Sequence, residues 1–219
     1  MTATPPLQKM ARPVSPSDNT TTGERPGMAR PRLVLASASP RRLDLLRQIG
    51  LEPDQVDPPE IDESHGRTEL PRAYARRMAG EKLAAAAARH PGAVVIAADT
   101  VVACGRRILP KAETAGQARA CLHLLGGRRH QVWGGIALGL PDGGSLVRVV
   151  VTQVSLKRLE AREIETYIAG GEWQGKAGGY AIQGRAAVFV RAIAGSYSNV
   201  VGLSLSDLAA MLHGHGIDW

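Results

Sequence analysis

The stretch "RLVLASASPRRLDLLRQIG", Arg32 to Gly50, decides the fold. Its first residues, "RLVLAS", are a short apolar run that reads as a buried strand. Ser39 then suits an N-cap and Pro40 the first helical position, while Leu43, Leu46 and Ile49 recur at helical spacing until Gly50 stops the pattern. A strand, a tight turn and a helix follow one another within nineteen residues. Arg41 and Arg42 break the local rule, because the first turn of a helix already carries partial positive charge. Each opposes the macrodipole by roughly a few tenths of a kcal/mol, so something negative belongs in front of them.

Outward from this unit, the chain alternates helical and strand patterns. "DPPEIDESHGR" is a polar connection, and the alanine-rich stretch from Pro71 to His90 is helical and ended by "HPG". "AVVIAAD" reads as a buried strand ending at Asp99, with "VVACGRRI" continuing into a hairpin that turns near Gly105. Thr114 and Gln117 form a capping box ahead of a helix closed by Gly126. "HQVWGGIALGL" and "SLVRVVVTQVSL" flank "PDGG" as a β-hairpin, and "EAREIETYIAGG" is a short helix. After the glycine-rich "GKAGGYAIQG", "AVFVRAI" returns as a strand, "GSYSNVVG" as a loop and short strand, and Ser206 caps a final helix. Helices mixed with hairpins predict an α/β fold, a mixed sheet flanked by helices. Residues 1–30, rich in Pro, Thr, Ser and Arg, read as a disordered tail ahead of one domain over 31–219.

Composition bounds the function. With 44% apolar residues in 219 the chain can build a core, and its longest apolar run, broken by Asp99, is too short for a membrane span of about 20 residues. Two cysteines without metal-site spacing, and no apolar core in "MTATPPLQKM", point to a reducing cytoplasm. A formal charge of +7 favours an anionic partner, though no stretch interleaves basic and aromatic residues as single-strand nucleic-acid binders do.

Asp99, inside an apolar pattern, is either a carboxylate where a strand emerges or a general base or metal ligand at a strand's carboxyl end. Glu63 in "IDES", Lys82 and Lys111 each read alone as solvated charges; together with Arg41 and Arg42 they form a set able to hold a polyphosphate. The four glycines of residues 175–184 allow close approach of a ligand, and Gln183 carries both donor and acceptor for a base edge. Walker A, GxGxxG and GxSxG patterns are absent.

Four separated motifs, "LASASPRRLDLLRQIG", "AADTVV", "KAGGYAIQGRAAVFV" and "GSYSNVVGLSL", resemble in order and spacing the Maf family of nucleoside triphosphate pyrophosphatases. The resemblance implies a two-lobed, inosine-triphosphatase-like architecture with a central cleft, and hydrolysis of a nucleoside triphosphate to monophosphate and pyrophosphate. It implies a divalent cation, Mg²⁺ or Mn²⁺, and allows a homodimer, while the composition leads to no nucleic-acid or membrane partner being expected. By position, Ser37, Ser39, Arg41 and Arg42 match the family's phosphate-handling motif, and Lys82 and Lys111 its lysines. Glu63 matches its acidic residue near metal and phosphates, and Asp99 its proton acceptor and metal-side carboxylate.

Arg41, Thr100 and Gln183 match positions that the dTTP- and UTP-hydrolysing branch associates with pyrimidine preference; the 7-methyl-GTP branch has a Trp after the motif's Pro and a Ser before the Asp. The expected substrates are therefore dTTP and UTP, with other or modified nucleotides and a non-catalytic, nucleotide-binding regulator of division as the alternatives. Departures from the family pattern fall at Pro110 and Ala112 around Lys111, at Gly175 in place of Asp, at Gly134 in place of Thr, and at Ser204 in place of Pro. Trp173 is a further candidate to reshape the base pocket.

Overall fold

The computed structural model describes residues 30–219, so the expected tail, all but Arg30, lies outside the described residues. The opening unit forms as read: β1 (Leu33–Ala36) is fully buried and leads into α1 (Pro40–Gln48). Ser39 occupies the N-cap position of α1, but its side chain makes no capping hydrogen bond. α2 (Pro71–Ala87) and β3 (Val94–Cys104) follow, after a two-residue strand, β2 (Gln55–Val56), that sequence periodicity did not reveal.

Beyond β3 come β4 (Arg107–Leu109), β5 (Lys111–Ala112) and α3 (Ala115–Leu125). The Thr114–Gln117 capping box is formed in both directions. The long hairpin of β6 (Arg129–Gly139) and β7 (Ser145–Leu156) precedes α4 (Ala161–Ala169) and β8 (Lys176–Ala177). The chain closes through a 3₁₀ helix (Arg185–Phe189), β9 (Val190–Ala194), α5 (Tyr197–Val201) and α6 (Leu205–His213).

Four local expectations are corrected. β3 does not end at Asp99 but runs through it for eleven residues, because Asp99 is paired inside the sheet rather than delivered to its rim. "AVF" belongs to the 3₁₀ helix, so the strand begins only at Val190. "YSNVV" is helical, since the Ser196 hydroxyl accepts from the Asn199 N–H and starts a turn that outweighs its β-branched pair. The final helix is entered at Ser204, not Ser206, and Ser204 donates to Asp207.

The main sheet has seven strands in the order β2-β1-β3-β6-β7-β9, with β4 also on β3. β1 runs parallel to β2 and β3, and the remaining pairs are antiparallel, so the sheet is mixed as expected. β5 and β8 form a separate two-stranded ribbon. α2 covers one face over a small-residue cluster including Ala79, Leu83, Val95 and Ala97. The larger core on the other face joins residues of α1, α3, α4 and α6, among them Leu46, Leu122, Ile164 and Leu208.

One feature of register creates the site. Along the same edge of β3, β1 pairs only as far as Ala36 opposite Ala97, and β4 begins at Leu109 opposite Val102. Between them, Ala98 to Val101 have no strand neighbour on that side. The sheet is therefore forked at Asp99 and Thr100, the kind of strand separation where open α/β sheets leave a crevice for ligands. On the other edge Asp99 lies opposite Gly135 of β6. A Cβ on Gly135 would come within 2.1 Å of the Ala75 carbonyl oxygen, so the glycine lets α2 lie flush on the sheet and bring Lys82 over the fork.

Candidate active site

The fork opens into a cavity of about 390 Å³. The β1–α1 turn contributes Ser37, Ser39, Arg41 and Arg42, the polar connection Glu63, α2 Lys82, and β3 Asp99 and Thr100. The ribbon adds Lys111 and Lys176, and the glycine-rich loop Gln183 at an exposed position. Every site residue expected from sequence thus borders one cavity. Trp173 does not: it is buried behind the loop, with its indole N–H on the Ile168 carbonyl. Lys176 was the residue missed; its signal was a lone cation at the head of a glycine-rich segment.

Asp99 is 3% exposed, a costly place for a carboxylate without a partner. Lys82 supplies one, its Nζ 2.7 Å from Asp99 Oδ1 and 2.6 Å from Glu63 Oε1. The other Glu63 oxygen accepts from Lys111. Two carboxylates and two ammonium groups therefore form one connected, internally compensated cluster. Partial burial by itself would raise the Glu63 carboxyl, but hydrogen bonds from Lys111 and Lys82, backed by their charges, bring it down to about 2. The Tyr74 hydroxyl donates to the Glu63 backbone carbonyl, and burial, with the charges of Asp99 and Glu63, pushes that phenol up to about 12.

The two arginines of the opening motif have different tasks. Arg42 is buried, and its Nε donates to the Gly202 carbonyl at 2.9 Å, while its terminal nitrogens reach the Ser37 hydroxyl at 2.8 Å and the Thr100 hydroxyl at 3.0 Å. Burial lowers its guanidinium, with Asp99 acting in the opposite sense. Arg41, half-buried, makes only a long 3.4 Å contact to the Val201 carbonyl and borders the cavity. Both rest on the carbonyl end of α5, which carries partial negative charge and offsets part of their conflict with the start of α1. Thr100 touches the cavity, but its hydroxyl is engaged by Arg42.

Among the described residues no group of three or more His, Cys, Asp or Glu side chains is placed to hold a metal ion. Asp99 and Glu63 do converge on a single ammonium group. That donor set fits Mg²⁺, which takes one or two protein carboxylates and fills its remaining positions with phosphate oxygens and water. The start of α1, flanked by Arg41 and Arg42 and bordering the cavity, offers a seat for the phosphates themselves.

A forked mixed sheet, with a helix start and a lining of lysines and arginines at the fork, defines an α/β protein built around a charged cavity. The family profile described as Maf-like protein matches residues 32–215, and the chain belongs to that family. Over 184 residues it is 62% identical to a dTTP/UTP pyrophosphatase of Rhodospirillum rubrum, covering 84% of this chain and 88% of that one. A dTTP/UTP pyrophosphatase of Paramagnetospirillum magneticum is 63% identical over 84% of this chain and 97% of its own length. One from Caulobacter vibrioides is 56% identical over 86% and 97%. A HAM1 protein from Coxiella burnetii is similar in structure at a TM-score of 0.46 and 16% identity, covering 83% of this chain and 98% of that one, a likeness too weak to carry an argument.

Proposed function

We propose that this chain is a nucleoside triphosphate pyrophosphatase that hydrolyses dTTP and UTP to the monophosphate and pyrophosphate, with one catalytic domain over residues 31–219. The observation that carries the reading is the convergence, in one cavity, of the Asp99–Lys82–Glu63–Lys111 cluster with the arginine-flanked start of α1. The names of the relatives support the choice of nucleotide.

In this mechanism Asp99 accepts a proton from the attacking water. Lys82 holds Asp99 Oδ1 and leaves Oδ2 to orient that water. The water oxygen bonds to the α-phosphorus, the bond from that phosphorus to the bridging oxygen breaks, and the electron pair leaves with pyrophosphate. Ser37, Ser39, Arg41 and Lys111 bind phosphate oxygens, and Arg42 keeps the β1–α1 turn and Thr100 in place. Such positioned positive charge supplies most of the acceleration in phosphoryl transfer. Gln183 reads the pyrimidine edge with its amide. A divalent cation, when bound, neutralises phosphate charge, with Glu63 and Asp99 as its protein ligands.

Cytoplasmic location and absence of a nucleic-acid partner belong to the same reading, which is compatible with a monomer or a homodimer. Among the described residues no helix is long and apolar enough to cross a membrane. Incubation with each NTP and dNTP in Mg²⁺, scored for pyrophosphate against orthophosphate, tests the proposal. Pyrophosphate from dTTP and UTP above all others is the expected result. Orthophosphate alone would mean a different phosphatase, and binding without release would mean the non-catalytic regulator.

A further inference from the structure

The cavity's charges are unevenly matched. Lys82 and Lys111 are neutralised by Asp99 and Glu63, and Arg42 is committed to a carbonyl and two hydroxyls. Arg41 and Lys176 have no carboxylate within salt-bridge distance among the described residues and, unlike Arg42, each side chain makes a single hydrogen bond to a carbonyl. Lys176 is half-buried on β8, opposite Ala112 of β5, and its Nζ reaches only the Gln174 carbonyl, at 3.1 Å. Burial lowers its ammonium, and the Arg41 charge acts in the same direction; both side chains border the one cavity.

Backbone hydrogen bonds shape the turn around Lys176. Gly175 N–H donates to the Ala112 carbonyl at 2.8 Å, Lys176 N–H to Trp173 at 3.0 Å, and Gly178 N–H to Pro110 at 3.0 Å. Behind the turn, the buried Trp173 is held by its indole N–H on Ile168. A half-buried ammonium and a half-buried guanidinium that border one cavity, neither paired with a carboxylate among the described residues, form a seat for an anion.

We infer that Lys176, together with Arg41, holds the β- and γ-phosphates, the half of the substrate that leaves as pyrophosphate. This rests on the proposed hydrolysis. Attack at the α-phosphorus places that atom at Asp99, in the compensated end of the cavity, so the more highly charged end of the triphosphate extends to the cations that lack counter-charges. The ribbon then grips the leaving group with a lysine on each strand, Lys111 and Lys176.

Gly175 provides an independent handle. It lies in the left-handed region at φ +64°, and a Cβ there would meet nothing within 4 Å. Asp and Asn are the side chains that tolerate this conformation best, so each fits with modest strain. They differ in placing, or not placing, a negative charge beside Lys176.

Equilibrium binding of inorganic pyrophosphate and of dTMP to the full-length protein, by calorimetry at one fixed Mg²⁺ concentration, tests the assignment. Loss of a charge-assisted contact predicts that Lys176→Met weakens pyrophosphate about 10- to 100-fold and dTMP less than about threefold. Lys176→Arg restores most of the pyrophosphate affinity, and Gly175→Asp weakens it more than Gly175→Asn does. Equal weakening of both ligands, weakening of dTMP alone, or unchanged pyrophosphate binding in folded Lys176→Met overturns the assignment. A wild-type protein that binds pyrophosphate through Lys176 yet releases none from any nucleotide supports Lys176 and defeats the hydrolysis reading.

Discussion

Asp99 shows what a single side chain can be asked to do. Its burial is tolerable because Lys82 lies 2.7 Å from Oδ1, and in the proposed reaction its second oxygen orients the attacking water. Asp99→Asn keeps the shape and removes the basicity, so kcat for dTTP falls by about 10²–10⁴-fold or more while dTTP still binds, as single-turnover and equilibrium measurements will show. Unchanged turnover would remove Asp99 from the chemistry. His130 offers a stability test apart from the cavity chemistry. Its Nε2 is 2.7 Å from the Tyr180 hydroxyl, its Nδ1 has no partner among the described residues, and burial lowers the imidazole to about 4. Between that value and the ordinary 6.5, the unfolded chain holds more protons than the folded one, so stability is lost as pH falls through this window. The loss is on the order of 3 kcal/mol. Denaturant midpoints for His130→Gln should fall less steeply between pH 6.5 and 4 than wild type; parallel curves would show that His130 is not the group responsible.

At the scale of elements, the fit of α2 on β6 governs the site, because α2 carries Lys82. Gly135→Ala would push a methyl to within 2.1 Å of the Ala75 carbonyl oxygen and 2.9 Å of Ala79 Cβ, and backbone cannot yield as a flexible side chain does. Overpacking of this kind costs about 1–3 kcal/mol, and lifting α2 draws Lys82 from Asp99, so unfolding midpoint and kcat fall together. A variant with lowered stability but full kcat would show that α2 does not set the position of Lys82. The capping box fixes the start of α3, just beyond Lys111: Thr114→Ala should lower stability by about 1 kcal/mol, as paired urea titrations can check, and an unchanged midpoint would show that the box adds nothing. Elements with strong local signals were legible in sequence, notably β1, α1, α2 and the box-capped α3. Those fixed by partners were not: β2 exists through its pairing with β1, and α5 through its serine cap and its buried Asn199.

For the whole molecule, the gathering of distant residues is a tertiary result that no window of sequence contains. Arg41, Lys82, Asp99 and Lys111 come from a helix start, a helix middle, a strand and a ribbon, and it is the gap between β1 and β4 along β3 that lets them meet. Family resemblance pointed to these side chains, but it gave no sign that Arg42 is turned to backbone and hydroxyls while Arg41 and Lys176 remain uncompensated. The central claim is that this cavity directs water to the α-phosphorus. Hydrolysis of dTTP in ¹⁸O-enriched water, with both products analysed by mass spectrometry, tests it most directly. Attack at the α-phosphorus leaves one labelled oxygen in dTMP and none in pyrophosphate; label in pyrophosphate, with unlabelled dTMP, would mean attack at the β-phosphorus and contradict the claim.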